Sequence, residues 1–370
     1  MNITGIRSRF STPTDTQELA QIIAEAAAVG GKLELRGGGT KAEVGAPRDC
    51  TILDMTGFAG IIDYDPAELV LTAGAGTPLS QIEALVAERG QMLAFEPHGP
   101  AQATLGGIVV AGVSGSRRMS RGAVRDHLLG FKAVSGRGEA FVGGAKVVKN
   151  VTGYDLPKIA AGSWGRLFAL TEVTLKVLPA PQTTLSLVAE GLDPAAAVAL
   201  MSKALGSQAD VAAAACTDGV TVLRLEGFGP SVTARRGLLE AMAPLRVMSE
   251  PEALTFWSGL RSPLSEVPML WRLSLPASRA ARVVQAGLGP WMMDWGGSQV
   301  WLACEDAQAV RAAALEAGGH AMLVRAPEAM RAAIPALHPQ PAGVAALEAR
   351  VRRAFDPQGV FETGRFLDAD

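Results

Sequence analysis

The sequence predicts an α+β protein of two domains, and three observations favour this fold. Helix-like and strand-like segments alternate from residue 15 to residue 178. Two prolines, Pro179 and Pro181, then interrupt the alternation. Beyond them, strand–helix–strand–strand–helix units occur twice in succession, as in a ferredoxin-like domain with an antiparallel sheet. We therefore expect domains at residues 1–182 and 183–343, followed by a C-terminal helix in residues 344–370.

The first domain begins with an amphipathic helix over residues 15–30, with Asp15 near its N-cap and Gly30 at its end. Residues 97–122 are too rich in Gly, Ser and Thr for regular structure, so we expect a long functional loop there. The other elements of this domain are expected as strands at residues 32–35, 51–55, 69–73, 128–135, 138–142 and 169–178, and as helices at residues 79–89 and 156–161.

The second domain is expected to alternate strands with helices that pack on one sheet. Its sequence ends in a basic helix, which is stopped by Asp356 and Pro357. The expected strands are residues 185–189, 220–225, 270–275 and 300–304, and the expected helices are residues 195–204, 232–242, 278–286, 307–317 and 344–355.

Composition excludes several classes of function. A net charge of −2 provides no broad basic surface for nucleic acid. The N-terminus lacks the apolar core of a secretory signal, and no apolar run approaches the ~18 residues of a spanning helix, so we expect a cytoplasmic protein. We expect no metal site, because the cysteines are isolated and the histidines lack the spacing of metal ligands. The cysteines are Cys50, Cys216 and Cys304.

Two glycine-rich loops are the candidates for chemistry. The first, Arg36-Gly37-Gly38-Gly39-Thr40-Lys41, has glycines that let backbone N–H groups converge on an anion. The second, which begins at Ala103-Thr104-Leu105-Gly106-Gly107, has hydroxyls and amides suited to a pyrophosphate and the edge of a flat ring. Neither has Rossmann or Walker spacing. Each alone is equally consistent with a plain glycine turn, whereas the pair is more specific.

Together, these loops resemble the FAD-binding domain of the vanillyl-alcohol-oxidase family (the PCMH type), which holds FAD between two small α+β subdomains. Residues 121–130 resemble the family's segment before a strand. Phe355-Asp356-Pro357 with Gly359 resembles its C-terminal signature, where the last helix packs back on the flavin domain. A narrower resemblance, to FAD-binding subunits of bacterial glycolate oxidase (glycolate dehydrogenase), covers nearly the whole chain. It rests on residues 63–69, 90–93, 149–156, 171–179, 271–276 and 294–297.

The resemblance implies FAD as the cofactor and a small 2-hydroxy acid, such as glycolate, as the substrate. Some relatives carry a histidine at the end of the first loop that bonds covalently to the flavin. Thr40-Lys41 stand there in this chain, so noncovalent FAD is expected, with His98 the remaining candidate for a covalent link. The usual C-terminal Asn-Pro-Gly is replaced by Glu362-Thr363-Gly364, so the terminal turn need not be the same.

The residues expected to contact FAD come from both loops and their surroundings. The charges of Arg36 and Lys41 would offset the pyrophosphate, although solvated loop charges explain them too. Asp126 would bind ribityl or adenosine hydroxyls, and a helix-capping role explains it equally well. The full set is Arg36, Gly37, Gly38, Gly39, Thr40, Lys41, Pro97, Thr104, Gly106, Gly107, Gly115, Ser116, Arg121, Asp126 and Val173.

Oxidation of a 2-hydroxy acid needs a cation for the carboxylate and a base for the hydroxyl proton, with the flavin accepting a hydride. Arg272 and Arg325 are the candidate clamps, because a guanidinium binds a carboxylate through two hydrogen bonds. His320 is the candidate base, because histidine titrates near neutrality. The alternatives are that Arg272 points to solvent and that His320 merely begins a strand.

The resemblance also implies a complex with a larger FAD-linked subunit and an iron–sulfur subunit. The chain would then be cytoplasmic, or peripheral at the inner membrane through its partners. Three functions remain open at this stage. They are an active FAD-dependent dehydrogenase subunit, a non-catalytic flavin carrier or assembly subunit of the same complex, and a glycine-loop nucleotide-binding protein without flavin.

Overall fold

The computed structural model describes residues 10–145 and 154–366. Residues 149–153, which belong to one of the stretches that carry the family resemblance, lie outside the described residues. Within the described part of the chain, each helix is too short or too polar to cross a membrane.

A small parallel sheet and one helix begin the first domain. The carboxylate of Asp15 accepts hydrogen bonds from the N–H groups of Gln17 and Glu18, and Gly30 ends the helix in the left-handed conformation. The helix buries Leu19 in the core that it shares with the sheet. These elements are β1 (Phe10–Ser11), α1 (Thr16–Val29), β2 (Leu33–Arg36) and β3 (Thr51–Asp54), and the sheet order is β1-β3-β2.

A five-stranded antiparallel sheet forms the rest of the first domain. Its elements are β4 (Ile61–Asp65), β5 (Val70–Gly74), α2 (Leu79–Ala87), β6 (Gln91–Met92), α3 (Leu105–Ala111), α4 (Arg118–Arg121), α5 (Val124–His127), β7 (Leu128–Ser135), β8 (Ala140–Gly144), α6 (Leu156–Ala160), β9 (Phe168–Lys176) and β10 (Leu178–Pro179). The strand order is β4-β5-β9-β7-β8, and a short ladder of β6 and β10 lies apart from it. Helices α2 and α3 pack against this sheet around a shared apolar core.

The expectation of one long loop over residues 97–122 was wrong at two places, because residues 105–111 fold into α3 and residues 118–121 into α4. Thr104 caps α3 and Gly112 ends it in the left-handed conformation. The two glycines in its first turn suggested irregular structure. Gly106 is instead required by packing, because a Cβ at this position would lie 2.9 Å from the carbonyl oxygen of Ala75. Tertiary contact therefore overrides the low helix propensity of glycine.

The second domain is one eight-stranded antiparallel sheet made from two similar halves. The first half contains β11 (Thr183–Glu190), α7 (Pro194–Leu205), β12 (Ala213–Thr217), β13 (Val220–Gly227), α8 (Gly229–Glu240) and β14 (Arg246–Val247), and α9 (Glu250–Arg261) follows it. The second half contains β15 (Leu270–Ser274), α10 (Ala277–Gln285), β16 (Trp291–Asp294), β17 (Gln299–Ala303), α11 (Ala307–Glu316) and β18 (His320–Arg325).

Each half is a βαββαβ unit, so the ferredoxin-like expectation is met twice. The strand order is β14-β11-β13-β12-β16-β17-β15-β18, and the halves join where Cys216 of β12 pairs with Met293 of β16. The sequence did not predict the strands β12, β14, β16 and β18 or the helix α9. The Ala-rich run of β12 has weak strand propensity, and its burial between two neighbouring strands decides its conformation.

The helix α12 (Glu328–Ala333) packs through Met330 against the core of the second domain. The C-terminal segment, which comprises α13 (Ala342–Phe355) and residues 356–366, packs on the first domain. The ring of Phe355 contacts those of Phe141 and Phe168, with centroids 5.9 and 5.2 Å apart. The carboxylate of Asp356 accepts hydrogen bonds from the N–H groups of Val360 and Phe361, which are buried with α1. This segment therefore contacts both parts of the first domain.

Candidate active site

The two glycine loops pack directly against each other. A Cβ at Gly38 would lie 1.4 Å from the carbonyl oxygen of Gln102, and one at Gly37 would lie 2.2 Å from Oγ1 of Thr104. Larger residues are excluded at both positions, because real atoms do not approach so closely. Residues 36–41 and 102–107 thus form one structure, which we call the cradle.

A small cavity of about 60 Å³ opens between the two loops of the cradle. Nε of Arg36 is buried and has no hydrogen-bond partner among the described residues. Such a donor is typical of a site that receives an anion, because buried polar groups are otherwise paired. The predicted cofactor residues that line this cavity are Arg36, Gly37, Gly38, Gly39, Thr40, Lys41, Thr104 and Gly107.

The carboxylate of Glu34 limits how much of the positive charge in the cradle is free. It binds Arg48 at 2.6 Å and Arg36 at 3.1 Å. Burial alone would raise the pKa of Glu34, but hydrogen bonds and charges from Arg48 and Arg36 outweigh it and hold this pKa below its usual value. Arg48 therefore supplies most of the neutralising charge and leaves part of Arg36 available.

Arg365, from the C-terminal segment, supports the end of the first loop. Its guanidinium lies 4.9 Å from the ring centroid of Trp164 and donates to the carbonyl oxygens of Val44 and Lys41. Burial, then the charge of Arg365, lower the pKa of Lys41 to about 8. The cradle thus depends on a residue more than three hundred positions away in the sequence.

A larger cavity of about 460 Å³ lies between the two domains, and we call it the interdomain cavity. The first domain contributes the end of the first loop, His98 and Trp164, and the second contributes β15, β17 and β18. Among the described residues that line it, four are cationic and one, Glu43, is acidic, so the interdomain cavity favours an anionic ligand. The cations are Lys41, Arg261, Arg272 and Arg325.

Arg272 and Arg325, the predicted carboxylate clamps, both line the interdomain cavity. Arg272 forms no ion pair with any described residue, and its nearest polar contact is Sδ of Met322 at 3.6 Å. Burial, then the charge of Arg118, lower the pKa of Arg272. Some of the hydrogen-bond donors of Arg325 are already used, because one terminal nitrogen donates to the carbonyl oxygen of Leu264 at 2.8 Å.

His320, the predicted base, does not line the interdomain cavity. It is the exposed first residue of β18, where it pairs with Ser274 of β15. The histidine that does line the interdomain cavity is His98, whose Nδ1 is buried without a hydrogen-bond partner. Burial, then the charges of Lys41 and Arg261, lower the pKa of His98 to about 4.

Buried ion pairs connect the two domains beside the interdomain cavity. Glu96 accepts hydrogen bonds from two guanidinium nitrogens of Arg224, each at 3.0 Å, and Arg117 binds Glu226 at 2.9 Å. Burial would raise the pKa of Glu96, but Arg224 outweighs it and lowers this pKa to about 2. These pairs fix the second loop to the sheet of the second domain.

A hydrogen bond of 2.7 Å from Ser116 to the carboxylate of Asp294 also crosses between the domains. Asp294 is fully buried, and this burial raises its pKa to about 6 although the bond from Ser116 opposes the change. Ser116, a predicted cofactor residue, is therefore placed in a contact between domains.

The other predicted cofactor residues do not line either cavity. Gly106 and Gly115 permit close approach to Ala75 and Glu96, and Asp126 accepts hydrogen bonds from the N–H of Ala123 and from Lys158. Those that line neither cavity are Pro97, Gly106, Gly115, Ser116, Arg121, Asp126 and Val173. Within the described residues, no cluster of three or more His, Cys, Asp or Glu side chains is arranged to hold a metal.

Sequence reasoning missed Trp164, Arg261 and Arg365 as site residues. It considered His98 only as a residue that could bond covalently to the flavin. Trp164 has a positive φ of 57°, which a tryptophan rarely adopts, but no sequence signal marks this. Arg261 and Arg365 enter the site only through packing between segments distant in sequence.

Comparison with known proteins shows which family this chain resembles. A family model described as an FAD-binding domain matches residues 8–144. Glycolate oxidase subunit GlcE of Escherichia coli (strain K12) is 37% identical over 340 residues, which cover 90% of this chain and 92% of that protein. D-lactate dehydrogenase of Archaeoglobus fulgidus is 31% identical over 169 residues, which cover 45% of this chain and 38% of that protein.

Solved structures of alkyldihydroxyacetonephosphate synthase share the fold. One of them has a TM-score of 0.69 at 13% sequence identity and covers 96% of this chain and 76% of its own. At this identity the similarity shows the fold alone. With the FAD-binding family model, it confirms the predicted flavin fold.

Proposed function

Because the chain belongs to the family of glycolate oxidase subunit GlcE, we propose that it is the FAD-binding subunit of an enzyme that oxidises glycolate or a similar small 2-hydroxy acid. The observation that carries this proposal is the interdomain cavity, where Arg272 has no carboxylate partner among the described residues. A half-buried guanidinium that lines a cavity and has no anion beside it is suited to a substrate carboxylate.

The residues present fit FAD. The cradle offers backbone N–H groups at Gly37 to Gly39 and the unpaired Nε of Arg36, which suit a pyrophosphate. The interdomain cavity adjoins the cradle at Thr40 and Lys41, and its volume of about 460 Å³ suits a flat ring system together with a small acid. Since Thr40 and Lys41 stand where some relatives carry the linking histidine, we propose noncovalent binding.

The side chains of the second domain would hold the substrate. We assign the carboxylate to Arg272, with the remaining donors of Arg325 beside it. Bound FAD supplies a hydride acceptor. Trp295 and Trp301 complete the wall and exclude water, so that the charges act in a medium of low dielectric constant.

We further propose that the chain works within a complex, since the relative in Escherichia coli is named as a subunit of glycolate oxidase. The partners would be a larger FAD-linked subunit and an iron–sulfur subunit that receives the electrons. The complex would be cytoplasmic, or peripheral at the inner membrane through those partners. Co-expression followed by affinity purification of this chain tests the assembly, and recovery of this chain alone would contradict it.

A visible spectrum of the purified chain, before and after excess FAD, tests the cofactor. Flavin bands should remain with the protein through gel filtration. Anaerobic addition of glycolate should then bleach these bands. Bleaching with retained flavin supports catalysis by this chain, whereas retained flavin without bleaching, in the isolated chain and in its complex, supports a carrier role. A protein that stays colourless with FAD would contradict both.

A further inference from the structure

We propose that His98 accepts the hydroxyl proton of the substrate, an inference that rests on the proposed oxidation of a 2-hydroxy acid. His98 follows β6 on the segment that leads to α3, and it lines the interdomain cavity from the side of the first domain. Arg272 and Met322 line the same cavity from the second domain. A small hydroxy acid held by Arg272 would therefore share one cavity with the imidazole.

The imidazole of His98 is free to react. Its Nδ1 is buried without a hydrogen-bond partner among the described residues. Buried polar atoms are nearly always paired, so an unpaired one beside a cavity calls for a ligand, a water molecule or a catalytic role. The neutral imidazole has one nitrogen with a free lone pair, which can take up the proton.

The other three histidines are engaged or outside the interdomain cavity, and all four in the sequence are described. His127 contacts the carbonyl oxygen of Arg121 through Nε2 at 2.7 Å. His338 accepts a hydrogen bond from the N–H of Ala321 at 3.3 Å. His320 is exposed at the start of β18. His98 is thus the one histidine that lines the interdomain cavity.

The charges around His98 couple its basicity to the substrate. Lys41 of the first loop, Arg261 of α9 and Arg272 of β15 disfavour the imidazolium, whereas Glu96 favours it. Burial, followed by these cations, lowers the pKa of His98 to about 4, so the imidazole is neutral and able to accept a proton near pH 7. A bound carboxylate would cancel part of the cationic field and raise this pKa again, so proton affinity increases when the substrate is present.

The proposed step balances. The O–H bond breaks and its proton goes to the imidazole of His98. Bound FAD, the oxidant of the proposed function, would accept the hydrogen on the carbinol carbon together with two electrons. The C–O bond becomes C=O, and the hydroxy acid becomes the corresponding oxo acid. The imidazolium later returns its proton to solvent.

Stopped-flow reduction of the FAD-loaded full chain by glycolate, without oxygen, tests the role directly. His98→Asn should slow flavin reduction by about 10²–10⁴-fold, the usual contribution of a general base. The variant should also lose the decrease in reduction rate that the unmodified chain shows at acid pH. FAD affinity should stay within about twofold. His127→Asn is the matched control, because Nδ1 of His127 is also buried and unpaired but lies outside the interdomain cavity. Reduction by the His98 variant near the unmodified rate would overturn the proposal.

A second measurement does not depend on turnover. Oxalate carries carboxylates but no hydroxyl to oxidise. Its binding is followed by calorimetry at about pH 5.5 in two buffers of different ionisation enthalpy, which together report how many protons are taken up. The unmodified chain should take up protons on binding, and the His98→Asn chain should take up none. Equal uptake by both would overturn the role of His98 alone. No oxalate binding to the unmodified chain would overturn the proposed function as well.

Acid precipitation separates the base from a covalent flavin link. The flavin should be released from the unmodified chain and from His98→Asn alike. Flavin that stays with the precipitated unmodified chain, and is lost only in the variant, would make His98 the point of attachment and would overturn its role as a base.

Discussion

The cradle and the interdomain cavity adjoin at Thr40 and Lys41, but they use different atoms. In the cradle the groups proposed to bind the cofactor are backbone N–H groups, and glycines are needed because Gly37 and Gly38 touch the second loop. In the interdomain cavity the groups proposed to bind the substrate are side chains, which two domains bring together. The cradle should therefore tolerate almost no added volume, whereas the interdomain cavity should respond to changes of charge.

The substitution Gly38→Ala should give the largest effect. The added methyl group would overlap the carbonyl oxygen of Gln102, and the two loops would have to separate. We expect FAD affinity to fall by at least about 100-fold, since forced overpacking costs about 1–3 kcal/mol or more. Titration of the chain with FAD, followed by flavin fluorescence, measures this.

Gly237→Ala is its control, because nothing lies within 4 Å of a Cβ at that position in α8. Equal FAD affinity in the two variants would show that the cradle is not the cofactor site.

Arg272→Gln should act on the interdomain cavity alone. We expect oxalate affinity to fall by about 50-fold, because hydrogen bonds to charged groups contribute about 1.5–3 kcal/mol. FAD affinity should change by less than about threefold if the two regions are energetically separate. Calorimetry on the FAD-loaded chain measures the oxalate affinity, and titration of the FAD-free chain with FAD measures the FAD affinity. Arg282→Gln, on the exposed surface of α10, should change neither. A large loss of FAD affinity in Arg272→Gln would mean that the regions are one site.

The contact between Asp294 and Ser116 predicts a pH effect on stability. Burial raises the pKa of Asp294 from 3.8 to about 6, so the folded state binds this proton more tightly than the unfolded state does. Its contribution to stability is therefore present at low pH and is lost as the pH rises towards and through about 6. The Asp294→Asn chain lacks this loss.

Urea unfolding at acid and at neutral pH measures the difference. Relative to the unmodified chain, Asp294→Asn should gain about 2 kcal/mol between pH 4.5 and pH 7.5. Asp218→Asn, in the exposed turn after β12, should have the same free energy of unfolding as the unmodified chain at both pH values. A constant difference between Asp294→Asn and the unmodified chain would refute the titration of Asp294.

Arg365→Ala should give the smallest effect, because Arg365 supports the cradle from behind. We expect FAD affinity to fall by about fivefold, corresponding to about 1 kcal/mol for the lost contacts with Trp164 and the loop carbonyls. Flavin fluorescence measures it against Arg353→Ala, which removes an exposed arginine of α13. An unchanged affinity would leave the cradle independent of the C-terminal segment.

The sequence predicted the cradle better than the interdomain cavity. The first loop of the cradle is a run of consecutive residues, whereas the interdomain cavity is lined by residues that are far apart in the sequence. Three consecutive glycines in residues 37–39 are visible in any sequence and demand a special backbone. Arg272 and Arg325 were nominated by chemistry, and both line the cavity. His320 was nominated in the same way, but the pairing of β18 with β15 leaves it at an exposed end.

Tertiary packing accounts for most of what the sequence did not predict. The first turn of α3 contains Gly106-Gly107, which indicates a loop until its contact with Ala75 is known. Arg365 reaches Trp164 only after the chain returns to its first domain. His98 stands in an unremarkable Pro-His-Gly run, and its value as a base depends on three cations from other elements.

The return of residues 355–361 to α1 has a consequence for biosynthesis. The apolar core around α1, β2 and β3 includes Val360 and Phe361, and the end of the first loop rests on Arg365. A nascent chain that has emerged only as far as β18 therefore lacks part of the core of its own first domain. Flavin capture should then follow translation, after the ribosome has released this segment, and an affinity tag placed directly after it would interfere with cofactor loading.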